Sequence, residues 1–440
     1  GLLIAVVVLA VLAGGVWWSQ RVKSAEADKP SPTAAPKLIT MSEADAQRVE
    51  IGKRDAETTV LEKQNGKWRI TAPVALAADD DTATSVVSGM TGLNWDQLVE
   101  EKPADLGQFG LDKPAVRVTL AGKGSAAKTL LIGDETPTAG SFYAKLDGDP
   151  RVFTISSYTK GNLDKTARDL RDKRLLTFSD EKLSRVELTA KGQTIELGKN
   201  AQNEWQIVRP TLLRADGNAV DELVRKLREA KMDTSVSADD EKKAPGAFAS
   251  GSRVATVRVT DASGTQQLEM RKKGDAHYAR SSVVEGVFKI ASDVATALDK
   301  GLEDIRNKKV FDFGFADPNR VEVRYADKAF TFEKSGDAWK SDGKTMDSTT
   351  VQVLIDKLRD LAATKFPAGG FGTAVMDIVV SSNAGKRVEK VGLARLGTNY
   401  VARRENEPAL YEVTAASVGE IQKAAADVKP AQPSTAGQKK

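Results

Sequence analysis

A chain of 440 residues has room for about three domains of roughly 100–200 residues each. Its 65 basic and 61 acidic residues leave a formal net charge of +4, which gives no reason to expect nucleic acid, since that needs a concentrated basic face. There is no cysteine and one histidine, His277; this excludes disulfides, thiol nucleophiles and multi-histidine metal sites, and any Ser-His-Asp site would have to use His277.

The first segment, Gly1 to Trp18, is apolar and free of charge. At about 1.5 Å per residue a helix of this length spans roughly 27 Å, close to a hydrocarbon core. Trp17 and Trp18 end it, where indoles favour the membrane interface. The reading is a transmembrane anchor over residues 1–20. The small-x-small triplet Ala25-Glu26-Ala27 lies well past the apolar run, which favours an uncleaved anchor over a signal peptide. Arg21 and Lys23 come directly after the helix and alone would point inward; residues upstream of Gly1 would decide the count, and export of the body behind a short anchor is preferred. Residues 21–37, rich in Pro, Ala and Ser, read as a flexible linker, and residues 429–440 as a disordered polar tail.

Between them the chain repeats itself. RVEI, RVEL and RVEV begin at Arg48, Arg185 and Arg320, 137 and 135 residues apart. Trp68, Trp205 and Trp339 stand at similar offsets, each after a short polar turn, and read as repeat-core residues; Pro73 and Pro210 come after the first two but have no counterpart in the third. A helix comes next. Its apolar positions are Ala83, Val86, Val87 and Met90, then Val220, Leu223, Val224 and Leu227, then Val351, Leu354, Ile355 and Leu358. All three sets share the spacing of one helix face. Asp79, Asp216 and Asp347 each stand four residues before these sets, placed to accept N–H groups of the first helical turn.

The second half of each copy alternates like a strand: VRVT at Val116 and Val257, IVVS at Ile378, TLLIG at Thr129, then stretches at Tyr143, Tyr278 and Tyr400, then VFTI, VFKI and LYEV. Helical stretches close the copies. Each unit therefore reads β-β-α-β-β-β-β-α, with the apolar helix face against an antiparallel sheet. The fold class is α+β, with three tandem repeats over residues 38–174, 175–310 and 311–428. In RVEI the Val and Ile face the core, while Arg and Glu face water.

Few residues invite a chemical reading. Asp79-Asp80-Asp81 offers three carboxylates to a divalent cation, but only Asp79 recurs, and no bidentate Glu stands at loop spacing beyond it; the cap reading is favoured. His277 reads as a rim histidine with no nucleophile motif to serve. Gly369–Gly372 reads as a loop, because it lacks the Lys-Ser/Thr of a phosphate loop. Asp239–Lys243, of mixed charge, reads as an exposed loop. Arg168–Arg174 resembles Glu303–Lys309 where one copy passes to the next. Either these are solvated helix ends, or Arg171 and Arg306 brace neighbouring repeats. No catalytic, cofactor-binding or metal-binding residue is singled out, and no cofactor is expected.

Lys63…Trp68-Arg69-Ile70…Pro73, the Ala-Asp cap, Phe109-Gly-Leu-Asp-Lys-Pro114, the L-x-I-G strand and the Val-Phe-x-Ile strand together resemble the bacterial "domain of unknown function 4340" family. The third copy departs by losing the proline and most of the Gly-Leu-Asp-Pro turn. The resemblance implies a setting: members are often encoded beside gliding-motility-type ABC-transporter permeases, with an auxiliary extracytoplasmic subunit. It implies no catalytic residue. The expectation is a non-enzymatic accessory or scaffold subunit, anchored once in the inner membrane with its body in the periplasm. Its expected partners are an ABC permease and ATPase or auxiliary envelope subunits. The alternatives are a module binding cell-wall or surface polysaccharide and, less favoured, a carboxylate-based hydrolase.

Overall fold

The computed structural model describes residues 37–314, 318–405 and 407–432. The expected anchor, nearly all of its linker and the tail from residue 433 lie outside the described residues. Among the described residues no helix is long and apolar enough to cross a membrane. The chain divides into two compact units, one up to residue 173 and one from residue 174. The first holds one antiparallel sheet and the second holds two, in a mixed α+β architecture.

The first unit runs β1 (Ala46–Lys53), β2 (Thr59–Gln64), β3 (Lys67–Ala72), β4 (Leu76–Ala77), α1 (Asp80–Thr91), β5 (Gln97–Glu100), β6 (Val116–Gly122), β7 (Ser125–Glu135), β8 (Ser141–Leu146), β9 (Val152–Ser156), α2 (Ser157–Leu163) and α3 (Ala167–Leu170). Its strand order is β4-β3-β2-β1-β6-β7-β8-β9-β5. Two meanders thus meet where β1 pairs with β6; after α1 the chain first adds β5 to the far edge beside β9 and then returns to the middle as β6. Four strands precede the helix, not two. β2 ends in the polar run Glu62-Lys63-Gln64, and the two-residue β4 is too short to show a period.

The second unit repeats this plan twice. Its first sheet comprises β10 (Arg185–Ala190), β11 (Gln193–Lys199), β12 (Trp205–Arg209), β13 (Leu213–Arg214), α4 (Gly217–Arg228), α5 (Ala238–Ser250), β14 (Ser252–Asp261), β15 (Gly264–Lys273), β16 (Ala276–Ser281), β17 (Val287–Ile290), α6 (Ser292–Leu298) and α7 (Leu302–Ile305). The other comprises β18 (Arg320–Tyr325), β19 (Lys328–Ser335), β20 (Ala338–Ser341), β21 (Lys344–Met346), α8 (Ser348–Asp360), β22 (Ala374–Ser382), β23 (Arg387–Leu396), β24 (Asn399–Arg404), β25 (Leu410–Val413) and α9 (Ala415–Ala426). The strand orders are β13-β12-β11-β10-β14-β15-β16-β17 and β21-β20-β19-β18-β22-β23-β24-β25. The missing third proline has a plain cause. Asp342 and Gly343, both at positive φ, close a two-residue hairpin between β20 and β21 that needs no longer loop.

Val49, Ile51, Val186, Leu188, Val321 and Val323 of the repeated tetrapeptides are fully buried, while Arg48 and Glu50 pair on the outer face at 3.2 Å. Fully burying each such side chain is worth about 1.5–3 kcal/mol. The incoming segment of each repeat is held the same way. Leu38, Leu175 and Val310 donate their N–H groups to the carbonyls of Leu93, Ala230 and Leu361 just after the main helix. The second and third repeats share one continuous buried cluster, through Ile305, Val310, Phe311 and Phe313.

Three expectations fail locally. Asp239–Lys243 is not a loop but the first part of α5. Ser237 caps that helix by accepting the Asp240 N–H at 3.1 Å, and three acids favour its positive N-terminus. Pro245 lies inside this helix and disguised it in the sequence. The closing helices of the first two repeats are each broken in two, so Arg171 and Arg306 are extended residues past the helix, not helical ones. There they bridge to Ala78 and Ala215 beside the short edge strands. In the third repeat that place is taken by residues 429–431, assigned to the tail from sequence; the Asp347 N–H donates to the Lys429 carbonyl and the Ala431 N–H to that of Thr345.

The segment between main helix and second meander differs in every repeat, yet each brings an aromatic ring onto its sheet. In the first, Phe109 packs edge-on to Tyr143, with ring centroids 5.0 Å apart. Gly133 permits this approach, because a Cβ there would lie 2.1 Å from the Phe109 carbonyl oxygen. In the second, Phe248 of α5 lies under the Arg271 guanidinium at 4.7 Å. In the third, Phe371 from the glycine-rich 369–372 loop lies under Arg403 at 4.1 Å.

Candidate functional site

Helix caps come first among the residues picked from sequence. The Asp79 carboxylate accepts both the N–H and the hydroxyl of Thr82 at 2.8 Å. Asp216 accepts the Ala219 N–H at 3.1 Å, and Asp347 accepts those of Thr349 and Thr350 at 2.8 and 3.2 Å. Asp80 is also engaged, accepting the Trp68 N–H at 2.8 Å. Among the described residues no group of three or more His, Asp or Glu is placed to hold a metal ion. His277 sits on β16; burial, with Lys272 adding repulsion, lowers its pKa.

Trp68 and Trp339 are 5% and 4% exposed. Trp205 is different: it is only partly buried, packs against the core and lines a cleft of about 740 Å³ between the second and third repeats. Asp80 stands next to the cap in the first repeat and Ser348 in the third; the second has Gly217 there, which lines the cleft.

The far wall of the cleft is a charged network that joins the two repeats. Arg214 leaves the edge strand β13 and reaches across. Its guanidinium donates to the Lys309 carbonyl at 2.5 Å and the Tyr411 hydroxyl at 3.1 Å, and meets Glu407 at 3.2 Å and Asp312 at 3.5 Å. Tyr411 in turn donates to Glu407 at 3.0 Å. Arg404 bonds Glu407 at 2.7 Å, Glu389 at 2.9 Å and the Val310 carbonyl. Arg387 meets Asp312 at 3.2 Å and Glu389 at 3.6 Å. Burial raises the Tyr411 pKa, with Glu407 adding to it against the Arg214 charge. Burial alone would lower that of Arg214, but Tyr411, Glu407 and Asp312 outweigh it and raise it. Each charge is thus matched by an opposite one, as burial demands.

Arg306 lies at the same joint. Its guanidinium stacks 3.5 Å from the Phe366 ring centre, across the boundary between the repeats, and burial lowers its pKa. Arg171 belongs to the first unit, where its backbone pairs with Ala78. The sequence reading did not single out Arg214, Asp312, Arg387, Glu389, Arg404, Glu407 or Tyr411. One signal was present: Arg214 stands where the first repeat has Ala77, a departure from the repeat pattern at an edge strand.

A family model described as "Domain of unknown function (DUF4340)" matches residues 68–206 and 205–377, more than half of the 440 residues. The chain belongs to this family. The first matched stretch runs from the Trp68 strand to the Trp205 strand and the second from the Trp205 strand into β22 of the third repeat, both out of phase with the sheets. Each takes in a main helix, a second meander and the opening strands of the next repeat. The Phe109–Pro114 turn and the strand carrying Gly133 both fall in the first stretch and pack on each other, so two of the motifs behind the resemblance meet in one structural contact. No curated protein matches the chain.

Proposed function

We propose that the chain is a membrane-tethered, non-enzymatic assembly subunit of an ABC-transporter-like envelope complex of the gliding-motility type, with its repeats in the periplasm. The observation that carries this reading is how charge is used at the joint of the second and third repeats. Arg214, Arg387 and Arg404 face Asp312, Glu389 and Glu407 in closed pairs, and Arg306 covers Phe366. Groups paired this way hold two repeats in one fixed arrangement; they are not poised to pass protons. A fixed body behind an apolar anchor and a Pro/Ala-rich tether suits a part that holds other subunits in place. The test is affinity purification of the full-length chain from mildly solubilised membranes, with mass spectrometry of the proteins that accompany it. A permease and an ATPase recovered in stoichiometric amounts support the reading. The chain recovered alone, under conditions that keep a known transporter intact, overturns it.

A further inference from the structure

The Trp205 cleft has features that the joint does not need. A second hollow of about 370 Å³ adjoins it, and both are lined by Lys199, Trp205 and Asp221. Trp205 therefore stands at the middle of a trough rather than at the end of a pit. The residue is anchored, since it packs against the core and its strand pairs with β11. The Lys199 ammonium lies 5.1 Å above it on a flexible stem. The larger hollow presents four basic and four acidic side chains. In the smaller one Arg228 is paired with Asp180, and Arg225 with Glu222 and Glu229. Such a lining selects no polymer by net charge, which disfavours nucleic acid, acidic glycans and charged peptides. It is rich in donors and acceptors side by side, the arrangement that hydroxyl groups, which both donate and accept, satisfy. The faces of sugar rings carry C–H groups whose partial positive charge suits the negative face of an indole. The volume lies in the usual range for a ligand site.

We propose that this trough binds an uncharged oligosaccharide chain, with Trp205 as the stacking platform at its centre. The proposal goes beyond the assembly role and does not depend on it. Gly217 is the opening in the wall: a Cβ there meets nothing within 4 Å, and the first repeat fills the same place with Asp80. Gly217→Asp is therefore a variant that blocks the trough and keeps the fold, because an acid suits the first helical turn. Trp205→Ala removes the platform, and Trp205→Phe keeps a ring.

The test titrates the full chain, in a detergent without sugar headgroups, with hexasaccharides of β-1,4-linked glucose and of β-1,4-linked N-acetylglucosamine. A galacturonate hexamer and a neutral hexapeptide serve as comparisons, read by tryptophan fluorescence and calorimetry. At least one neutral hexasaccharide is expected to bind, with Gly217→Asp and Trp205→Ala each weakening it by about tenfold or more and Trp205→Phe by less. Binding by neither neutral hexasaccharide, stronger binding of galacturonate or the peptide, or binding that Gly217→Asp leaves unchanged would overturn the proposal. Co-purification of a permease reads the assembly role separately, so either reading can fail alone.

Discussion

Replacing Arg214 by methionine keeps the aliphatic stem and removes the charge that crosses the joint. Removing one partner from a buried ion pair costs about 3–5 kcal/mol, because the other is left uncompensated. Arg214 is only 17% exposed in its side chain, so solvent relieves little of this. Its partners are not left bare, however. Glu407 keeps Arg404 at 2.7 Å, and Asp312 keeps Arg387 at 3.2 Å. The unrelieved losses are the bonds to the Lys309 carbonyl and the Tyr411 hydroxyl. The expected cost therefore falls at the lower end, about 3 kcal/mol. Hydrogen exchange of the full chain, resolved by peptide, reads it directly. The reporters are the Val310 and Ala363 amides, which bond to the Leu361 and Lys308 carbonyls at the entry to the third repeat. Their protection should fall by about a hundredfold, since each 1.4 kcal/mol is tenfold. Amides of β1 and β6 in the first unit should keep theirs. A loss of less than about threefold at the reporters would mean that Arg214 adds no strength to the joint, and the account of the network would fail.

Cap removal should scale with the bonds each cap makes. Asp216→Ala is expected to cost about 1 kcal/mol and Asp79→Ala more, since Asp79 accepts two hydrogen bonds from Thr82; chemical denaturation compares them, and equal costs would contradict the geometry. Gly133→Ala should lower the melting temperature by forcing the Phe109 turn off its strand, at about 1–3 kcal/mol. Glu269, 8% exposed in its side chain, is pushed up by burial and pulled down further by Arg271 and Arg280, for a net pKa below its ordinary 4.5. Its ionised form thus stabilises the fold above about pH 4.5, and that contribution is lost as pH falls through the depressed folded value. The stability gap between the parent and Glu269→Gln should accordingly shrink on acidification. A gap that is constant with pH would refute the pairing.

What the sequence made legible was whatever has a period. Val49 and Ile51 alternate with Arg48 and Glu50, and Val220, Leu223, Val224 and Leu227 mark one helix face, because burial on one side of an element imposes its own spacing. β4, two residues long, has no period to read. α5 was hidden because its first turn is Asp-Asp-Glu-Lys-Lys and Pro245 lies within it; only Ala244 and Phe248 are buried, too few to write a stripe. The joint was illegible for a different reason. Arg214, Asp312, Glu389 and Glu407 are far apart in the chain and meet only after two sheets have formed and packed. Trp205 packs against the core as its place in the repeat implies, but the cleft beside it is lined from both repeats, by Gly217 of one and Glu407 of the other, and so has no pattern within one repeat.

That glycine permits a sharper argument about whether the trough is selected or incidental. Gly217 is the first residue of α4 and carries no positive φ, so no backbone strain demands glycine there. Its place has open space around it. Glycine in a helix is less favourable than other residues, through the freedom it gives the unfolded chain, by about 0.4–1 kcal/mol. An acid in the first turn adds about 0.3–1 kcal/mol more. Gly217→Asp should therefore stabilise the second unit by about 1 kcal/mol while filling the cleft beside Trp205. A position where the stabler residue closes the trough, and the less stable one is present, is what a binding site retained against stability looks like. Chemical denaturation of the parent and Gly217→Asp, tracked through unfolding of the second unit, decides it. If Gly217→Asp is less stable than the parent, the glycine serves the packing of α4, and the openness of the trough is a by-product of the fold.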